Sequence, residues 1–374
     1  MIIPEKFYYE LQKRGIQFYT GVPDSLMKSF LKYVEQKTER SNHIIAANEG
    51  LAIALATGYY LRTGLLPLVY MQNSGLGNAV NPLMSIADKE VYGIPMLLLI
   101  GWRGMPGTKD EPQHKKMGRI TKGLLECMEI PVFEITSSEN LLEEKLNSAI
   151  EKSFTLQQPV ALLAHPGCFI DYNISIPESN YPLSRAQVLE KFIQKCKGNE
   201  IIVCTTGKTG REFYELNKIH DEKINKYFLS VGGMGLANHI ALGLADDKKK
   251  IIMFDGDAAM LMHLGSITQI GLQETNPAFL HILLNNGSHE SVGAQPTLGF
   301  ATDLCGIAAA CGYKKTISIT NEIELDAWLA HDFFKDEKQF VEIRINNVSN
   351  SNLGRPEGKP QEWKNNLMKN LLKK

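Results

Sequence analysis

Short runs of consecutive apolar residues alternate along the chain with longer stretches whose apolar positions recur every three or four residues. Runs such as 96–100, 160–164, 251–254 and 279–284 carry no polar residue at every second place. They predict strands buried on both faces, as in a parallel sheet. Residues 4–13, 25–34, 236–244 and 260–272 have helical spacing. Further strands are expected ending at Phe18, at 44–47, 67–70 and 132–135 in the first half, and at 201–204, 227–229 and 340–345 in the second. This alternation predicts an α/β protein with two doubly wound parallel-sheet domains. Residues 166–182 contain three prolines without a clear period. The expected boundaries are therefore a domain at 1–170, a linker at 171–183 and a domain at 184–374.

The remaining bulk properties narrow the class without naming it. A chain of 374 residues has room for two full cores. Its formal net charge of −1 gives no basic surface for nucleic acid or membrane, so neither partner is expected. Six cysteines, Cys127, Cys168, Cys196, Cys204, Cys305 and Cys311, show no CxxC and no regular spacing. They read as reduced thiols of a cytoplasmic protein. No signal-peptide pattern or membrane-length apolar run is present.

Chemistry is expected where strands end. The run 251–254 leads into Asp255-Gly256-Asp257 and the run 279–284 into Asn285-Asn286-Gly287-Ser288. Each motif alone is ordinary turn chemistry. Together they set a carboxylate, an amide and a nearby backbone carbonyl at the carboxyl ends of one βαβ unit, where open α/β sheets bind ligands. Such a partial oxygen cage suits Mg²⁺, and an adjoining helix N-terminus suits a diphosphate. Three more segments sit at comparable places. Asn48-Glu49 opens an Ala-rich helix, Gly21-Val22-Pro23-Asp24-Ser25 turns into another, and Ser230-Val231-Gly232-Gly233-Met234-Gly235 permits close backbone approach to a ligand. After 96–100 come Trp102-Arg103 and then Lys109 to His114, whose cationic and hydrogen-bonding groups suit an oxyanion.

Gly256-Asp257-Ala258 followed by Asn285-Asn286 resembles the signature of thiamine diphosphate enzymes, with Ala258 where the family has Gly. The resemblance implies that Asp257, Asn286 and the carbonyl of Ser288 hold Mg²⁺ at the diphosphate. It implies that Glu49 hydrogen-bonds the pyrimidine ring, that the Gly232 carbonyl accepts from its amino group, and that Met234 wedges the cofactor into a bent form. It makes the domains pyrimidine-binding and diphosphate-binding, with no middle domain between them. GVPDS, ANEG, GWRG with KDEPQH, GKTGRE, NNGSHESVGAQPT and NLGRP (352–356) further resemble the phosphonopyruvate decarboxylase family, with sulfopyruvate decarboxylases close by.

Several expectations follow from that resemblance. The reaction is non-oxidative decarboxylation of the 2-keto acid 3-phosphonopyruvate. Asp24 and His289 are candidate proton relays. Ser25, Arg103, Lys109, His114 and Arg355 are candidate substrate contacts. The assembly is a homodimer or higher even oligomer with sites shared between subunits, its interface near 51–60 and 78–86. Sulfopyruvate decarboxylation and a non-catalytic cofactor-binding subunit are the alternatives.

Overall fold

The computed structural model describes residues 1–138, 141–173, 179–246, 248–273, 278–332, 338–348 and 353–372. The chain divides into two compact units, residues 1–176 with 289–295, and residues 177–288 with 296–374. The first unit carries β1 (Tyr19–Gly21), β2 (His43–Ile45), β3 (Leu68–Gln72), β4 (Met96–Gly101), β5 (Val132–Ile135) and β6 (Pro159–Ala164). The second carries β7 (Ile201–Cys204), β8 (Tyr227–Leu229), β9 (Ile251–Gly256), β10 (Phe279–Asn285), β11 (Lys315–Ile319) and β12 (Gln339–Arg344). Every strand pairing among the described residues is parallel.

The two sheets repeat one topology. The first runs β2-β1-β3-β4-β6-β5 and the second β8-β7-β9-β10-β12-β11. Numbered from its own first strand, each reads 2-1-3-4-6-5. No short repeat in the sequence announces this, because the equivalence lies in connectivity and register. The chain passes to one side of its first strand and then to the other. That reversal opens a crevice between the carboxyl ends of the first and third strands of each sheet.

The continuous apolar runs are explained by two-sided burial. In β4, Leu97 and Leu99 join the core on one face while Met96, Leu98 and Ile100 join the core on the other. In the second sheet Ile252 and Phe254 pack with Phe192 and Trp328, and Ile251 and Met253 pack with Met260 and Phe340. Each fully buried Leu, Ile or Phe contributes about 1.5–3 kcal/mol, so neither face is dispensable.

Four expectations need correction. The strand expected to end at Phe18 instead runs Tyr19–Gly21. The single helix expected at 260–272 is two helices, Asp257–Met262 and Ser266–Leu272. His263 leaves helical geometry at φ −133°, and the Ser266 N–H donates to its carbonyl at 2.8 Å. The helix expected at 25–34 starts as a 3₁₀ turn, Ser25–Met27, and then runs Lys28–Lys37. The edge strand β11 was not anticipated, since Lys315 is exposed and Thr316 and Ile317 only half-buried, which hides the apolar pattern. Part of the expected linker, 174–178, lies outside the described residues.

Glycine 118 marks where a helix meets a functional loop. A Cβ there would lie 1.8 Å from the Gly104 carbonyl oxygen, whereas a Cβ on Gly123 of the same helix, Pro112–Cys127, would meet nothing within 4 Å. Gly123→Ala should stabilise the chain by about 0.5–1 kcal/mol through helix propensity alone. Gly118→Ala should shift the denaturation midpoint the other way, because backbone must move. Equal effects of the two substitutions would contradict the packing described.

Candidate active site

In the second unit the site is built on the β9–β10 pair. Gly256 lies opposite Leu284, so the next residue of β9 and the second residue beyond Leu284, Asp257 and Asn286, come together past the sheet edge. Asp257 is the first residue of a helix, where the N-terminal end of the macrodipole favours a carboxylate. It is 2% exposed, and burial pushes its carboxyl up to about 6 despite a hydrogen bond from the Thr297 hydroxyl and backbone N–H donors that include Asn286. A Cβ on Gly299 would lie 2.6 Å from both Asp257 Oδ2 and Asn285 Oδ1, so the glycine leaves a cradle beside those oxygens. Asn286 Oδ1 accepts from the Ser288 N–H at 3.1 Å.

The two asparagines divide their work. Asn285 Nδ2 donates to Glu342 Oε1 at 2.7 Å and to the Gly299 carbonyl at 2.9 Å. Glu342 is in turn met by Arg344 at 3.2 Å and Ser318 at 3.1 Å. Asn285 therefore anchors the turn from below, and Asn286 closes it through the Ser288 N–H. Ala258 lies within the helix and is not among the residues with positive φ, so its methyl meets no backbone conflict. Gly232 accepts through its carbonyl from the Ser230 hydroxyl at 2.6 Å, which leaves its second lone pair for another donor. Gly235 is required by its setting, with φ +82° and a would-be Cβ 2.7 Å from the Ala259 carbonyl. Met234 is half-buried in the same loop.

The first unit gathers its groups at the ends of β1, β3 and β4. Asp24 is fully buried. Its Oδ2 accepts from the Leu26 N–H at 3.0 Å, and its Oδ1 has no partner among the described residues. Burial pushes this carboxyl up to about 6, against the pull of the Leu26 N–H and of Arg103. Arg103 forms a fork with Asp110, Nε to Oδ2 at 2.8 Å and Nη2 to Oδ1 at 2.5 Å, while Nη1 donates to Ser25 Oγ at 2.7 Å. Asp110 also accepts from the Gly104 and Glu111 N–H groups, both at 2.7 Å. Asn73 locks the Arg103 backbone, accepting from its N–H at 3.2 Å and donating to its carbonyl at 2.8 Å.

Glu49 is 5% exposed at the start of the helix Glu49–Thr63. Asn78 Nδ2 donates to its Oε2 at 2.8 Å, and a Cβ on Gly75 would lie 2.4 Å from Oε1. A glycine therefore gives the carboxyl its place.

Among the expected substrate contacts, Ser25 and Arg103 come together. His114 is buried on the helix beneath them, where desolvation and Arg103 hold its imidazole below the usual range. Lys109 is exposed. Arg355 is exposed on a segment of the second unit tied to the helix Lys208–Ile219 by Gly354 N–H to Glu215 at 2.6 Å and Lys218 to Glu357 at 2.9 Å. Asn352 of the same segment lies outside the described residues. His289 is half-buried, and burial pushes it down to about 4, so it is neutral. Sequence reasoning missed Asp110, Asn73, Asn78, Gly75, Thr297 and Gly299, whose roles depend on contacts across elements. The available signal was Asn73-Ser74-Gly75 directly after a buried strand.

Among the described residues no three His, Cys, Asp or Glu side chains gather as a metal site, so a cation at Asp257 would draw on amide and carbonyl oxygens. No described helix is long and apolar enough to cross a membrane.

The chain is similar to known proteins in both halves. The thiamine pyrophosphate enzyme N-terminal TPP binding domain matches residues 3–122, and the C-terminal TPP binding domain matches residues 204–344. A phosphonopyruvate decarboxylase of Streptomyces viridochromogenes is 33% identical over 365 residues, covering 93% of this chain and 89% of that protein. One of Streptomyces hygroscopicus is 31% identical over 368 residues, covering 93% and 88%. A sulfopyruvate decarboxylase of Methanosarcina acetivorans is 28% identical over 346 residues, covering 86% of each chain. With both halves matched and a third of its residues shared along nearly its whole length, this chain belongs to the thiamine pyrophosphate enzymes and, within them, to the phosphonopyruvate decarboxylase family of carboxy-lyases.

Proposed function

We propose that the chain converts 3-phosphonopyruvate to phosphonoacetaldehyde and CO₂, using thiamine diphosphate and Mg²⁺. The observation that carries the substrate assignment is the Ser25–Arg103–Asp110 fork beside the buried Asp24, on a chain whose full-length relatives are phosphonopyruvate decarboxylases. When bound, the cofactor supplies a nucleophilic carbon and an electron sink for the pair released with CO₂.

The protein's part is to hold, orient and protonate. Asp257, Asn286 and the Ser288 carbonyl would hold Mg²⁺ and through it the diphosphate. The fit rests on a buried carboxyl that burial alone disfavours as an anion and that a cation would restore. Glu49, held by Asn78 in buried surroundings, would hold and exchange a proton at the pyrimidine ring. Gly232 would accept from the ring's amino group and Met234 would fill the gap beneath it. Loss of CO₂ consumes one proton at the substrate carbon. Asp24 is suited to give it, because a carboxyl titrating near 6 is protonated in a useful fraction. His289, neutral, is the second candidate for moving that proton. Arg103 keeps two N–H donors beyond its bonds to Asp110 and Ser25, and these would meet an anionic head group. We assign the pyrimidine-binding role to 1–170 and the diphosphate-binding role to 184–374.

An even oligomer is part of this reading. Helices Glu49–Thr63 and Ala237–Leu244 are equivalents, each joining the second strand of its sheet to the third. Both are apolar on the side turned from the sheet. Leu51, Ala54, Gly58 and Leu61 form an exposed strip with helical spacing, with Leu51 53% and Leu61 68% exposed. Leu236 and Ile240 are likewise exposed around the second helix. Apolar strips at equivalent places suit a two-fold partner. The free cysteines fit a reducing cytoplasm.

The direct assay supplies thiamine diphosphate and Mg²⁺ and follows CO₂ from phosphonopyruvate, sulfopyruvate and pyruvate. The highest kcat/KM should belong to phosphonopyruvate, and it should fall about ten- to a hundredfold in Arg103→Met while pyruvate loses less. Faster turnover of sulfopyruvate would refute the substrate assigned. Shared sites predict complementation. Glu49→Gln and Asp257→Ala should each be inactive alone, and each hybrid dimer formed on reassembly should carry up to about half of the wild-type per-dimer activity, roughly a quarter for an equal random mixture. Mixtures that stay inactive although both variants fold and exchange subunits would refute sharing.

A further inference from the structure

Directly after the turn that carries Asn286 and Ser288, the chain makes a short hairpin. Ser288 and Pro296 form an antiparallel bridge, and the His289 N–H donates to the Gln295 carbonyl at 2.8 Å. Opposed residues of a hairpin project to the same side, so His289 and Gln295 share one face. Thr297, two residues past Gln295, donates to Asp257, and residues 289–295 themselves group with the first unit, which carries Asp24 and Arg103.

Gln295 is only 3% exposed, yet neither its Nε2 nor its Oε1 has a hydrogen-bond partner among the described residues. Burying an amide without partners is unfavourable, and such groups are expected where a ligand supplies the partners. The local backbone is fitted to this amide. Gly293 has φ +149°, and a Cβ on it would lie 2.7 Å from Nε2 and 2.8 Å from Oε1. Any side chain at Gly293 would displace the amide. The neighbouring Ala294 sits at φ +63°, a conformation costly for a residue with a Cβ.

We propose that Gln295 is a substrate-binding residue that selects a phosphonate. Its Nε2–H donates to a phosphonate oxygen and its Oε1 accepts from the P–OH of the singly protonated group. The complementarity lies in the pair of atoms. An amide with both ends open matches a head group with an acceptor oxygen and a hydroxyl donor on one phosphorus. A sulfonate or an ionised carboxylate has acceptors only, so it would leave Oε1 unpaired or facing like partial charge. Arg103 supplies charge attraction common to both acids, whereas Gln295 supplies the difference between them. This inference rests on the decarboxylase reading given above.

The test is Gln295→Leu, which removes both polar atoms at similar volume. Three quantities are measured: kcat/KM on phosphonopyruvate, sulfopyruvate and pyruvate; affinity for thiamine diphosphate with Mg²⁺ by calorimetry; and the melting temperature of the cofactor-free protein. The preference for phosphonopyruvate over sulfopyruvate should fall about ten- to a hundredfold, mainly through KM. Cofactor affinity should hold, and the melting temperature should stay level or rise, since an unsatisfied buried amide has been removed. An unchanged preference overturns the proposal. So does an equal loss on all three acids, which would assign the amide to the shared carboxylate. A lower melting temperature or weakened cofactor binding would make Gln295 a structural residue and overturn it as well. Absence of decarboxylation by the wild-type protein would instead refute the underlying reading.

Discussion

A single buried carboxylate sets the terms for the second unit. Asp257 stands at the carboxyl end of β9 with almost no solvent contact, and burial moves its titration from 3.8 to about 6. That shift corresponds to roughly 3 kcal/mol against the ionised form. Because the native value lies above the unfolded one, the protonated native state is favoured at low pH. Stability is lost as pH rises from about 4 to about 6, and at neutral pH the loss is complete. The Thr297 hydroxyl and the backbone N–H groups soften this penalty without removing it. A divalent cation would reverse the balance by favouring the anion. The cradle at Gly299, the anchoring of Asn285 by Glu342 and the register of β9 on β10 all keep that carboxylate in one place.

The first unit shows the same design with the charge omitted. Gln72 lies opposite Gly101 as Gly256 lies opposite Leu284, so Asn73 and Arg103 occupy the positions of Asp257 and Asn286. In both units the residue after the third strand receives a backbone N–H from the residue two beyond the facing strand position. In both it also bonds a threonine, Thr121 or Thr297. An amide there needs no cation and serves to fix the Arg103 loop. A carboxylate in the same niche would be served by a cation. One topology thus yields a loop holder in one unit and, on the function proposed above, a metal holder in the other.

Much of this was legible in the chain, for identifiable reasons. Strands buried on both faces read as unbroken apolar runs, which is why β4, β6, β9 and β10 stand out. The spacing of Gly256-Asp257 from Asn285-Asn286 is fixed by one βαβ unit, so it survives in sequence. What was illegible depends on three dimensions. The break at His263 leaves apolar spacing nearly intact on either side, so two helices read as one. Asp110 looked like one more charge in a polar loop, yet it pairs with Arg103 and organises two backbone N–H groups. Arg103 alone suggested an unpaired anion hook. The fork with Asp110 shows a cation already partly neutralised and aimed by its partner, and its sequence neighbours could not reveal that.

If the buried Asp257 carboxylate exists to hold a metal-bound diphosphate, cofactor binding must depend on Mg²⁺ through that side chain. Calorimetric titration of thiamine diphosphate into the wild-type protein and into Asp257→Asn, each with and without Mg²⁺, tests this directly. The wild type should bind at least about tenfold more tightly with Mg²⁺ than without it, a coupling of about 1.4 kcal/mol or more. Asp257→Asn should lose that dependence, while its cofactor-free form is at least as stable as the wild type at pH 7, because the unfavourable buried anion is gone. A variant that keeps the Mg²⁺ dependence, or loses stability without the cofactor, would contradict the claim.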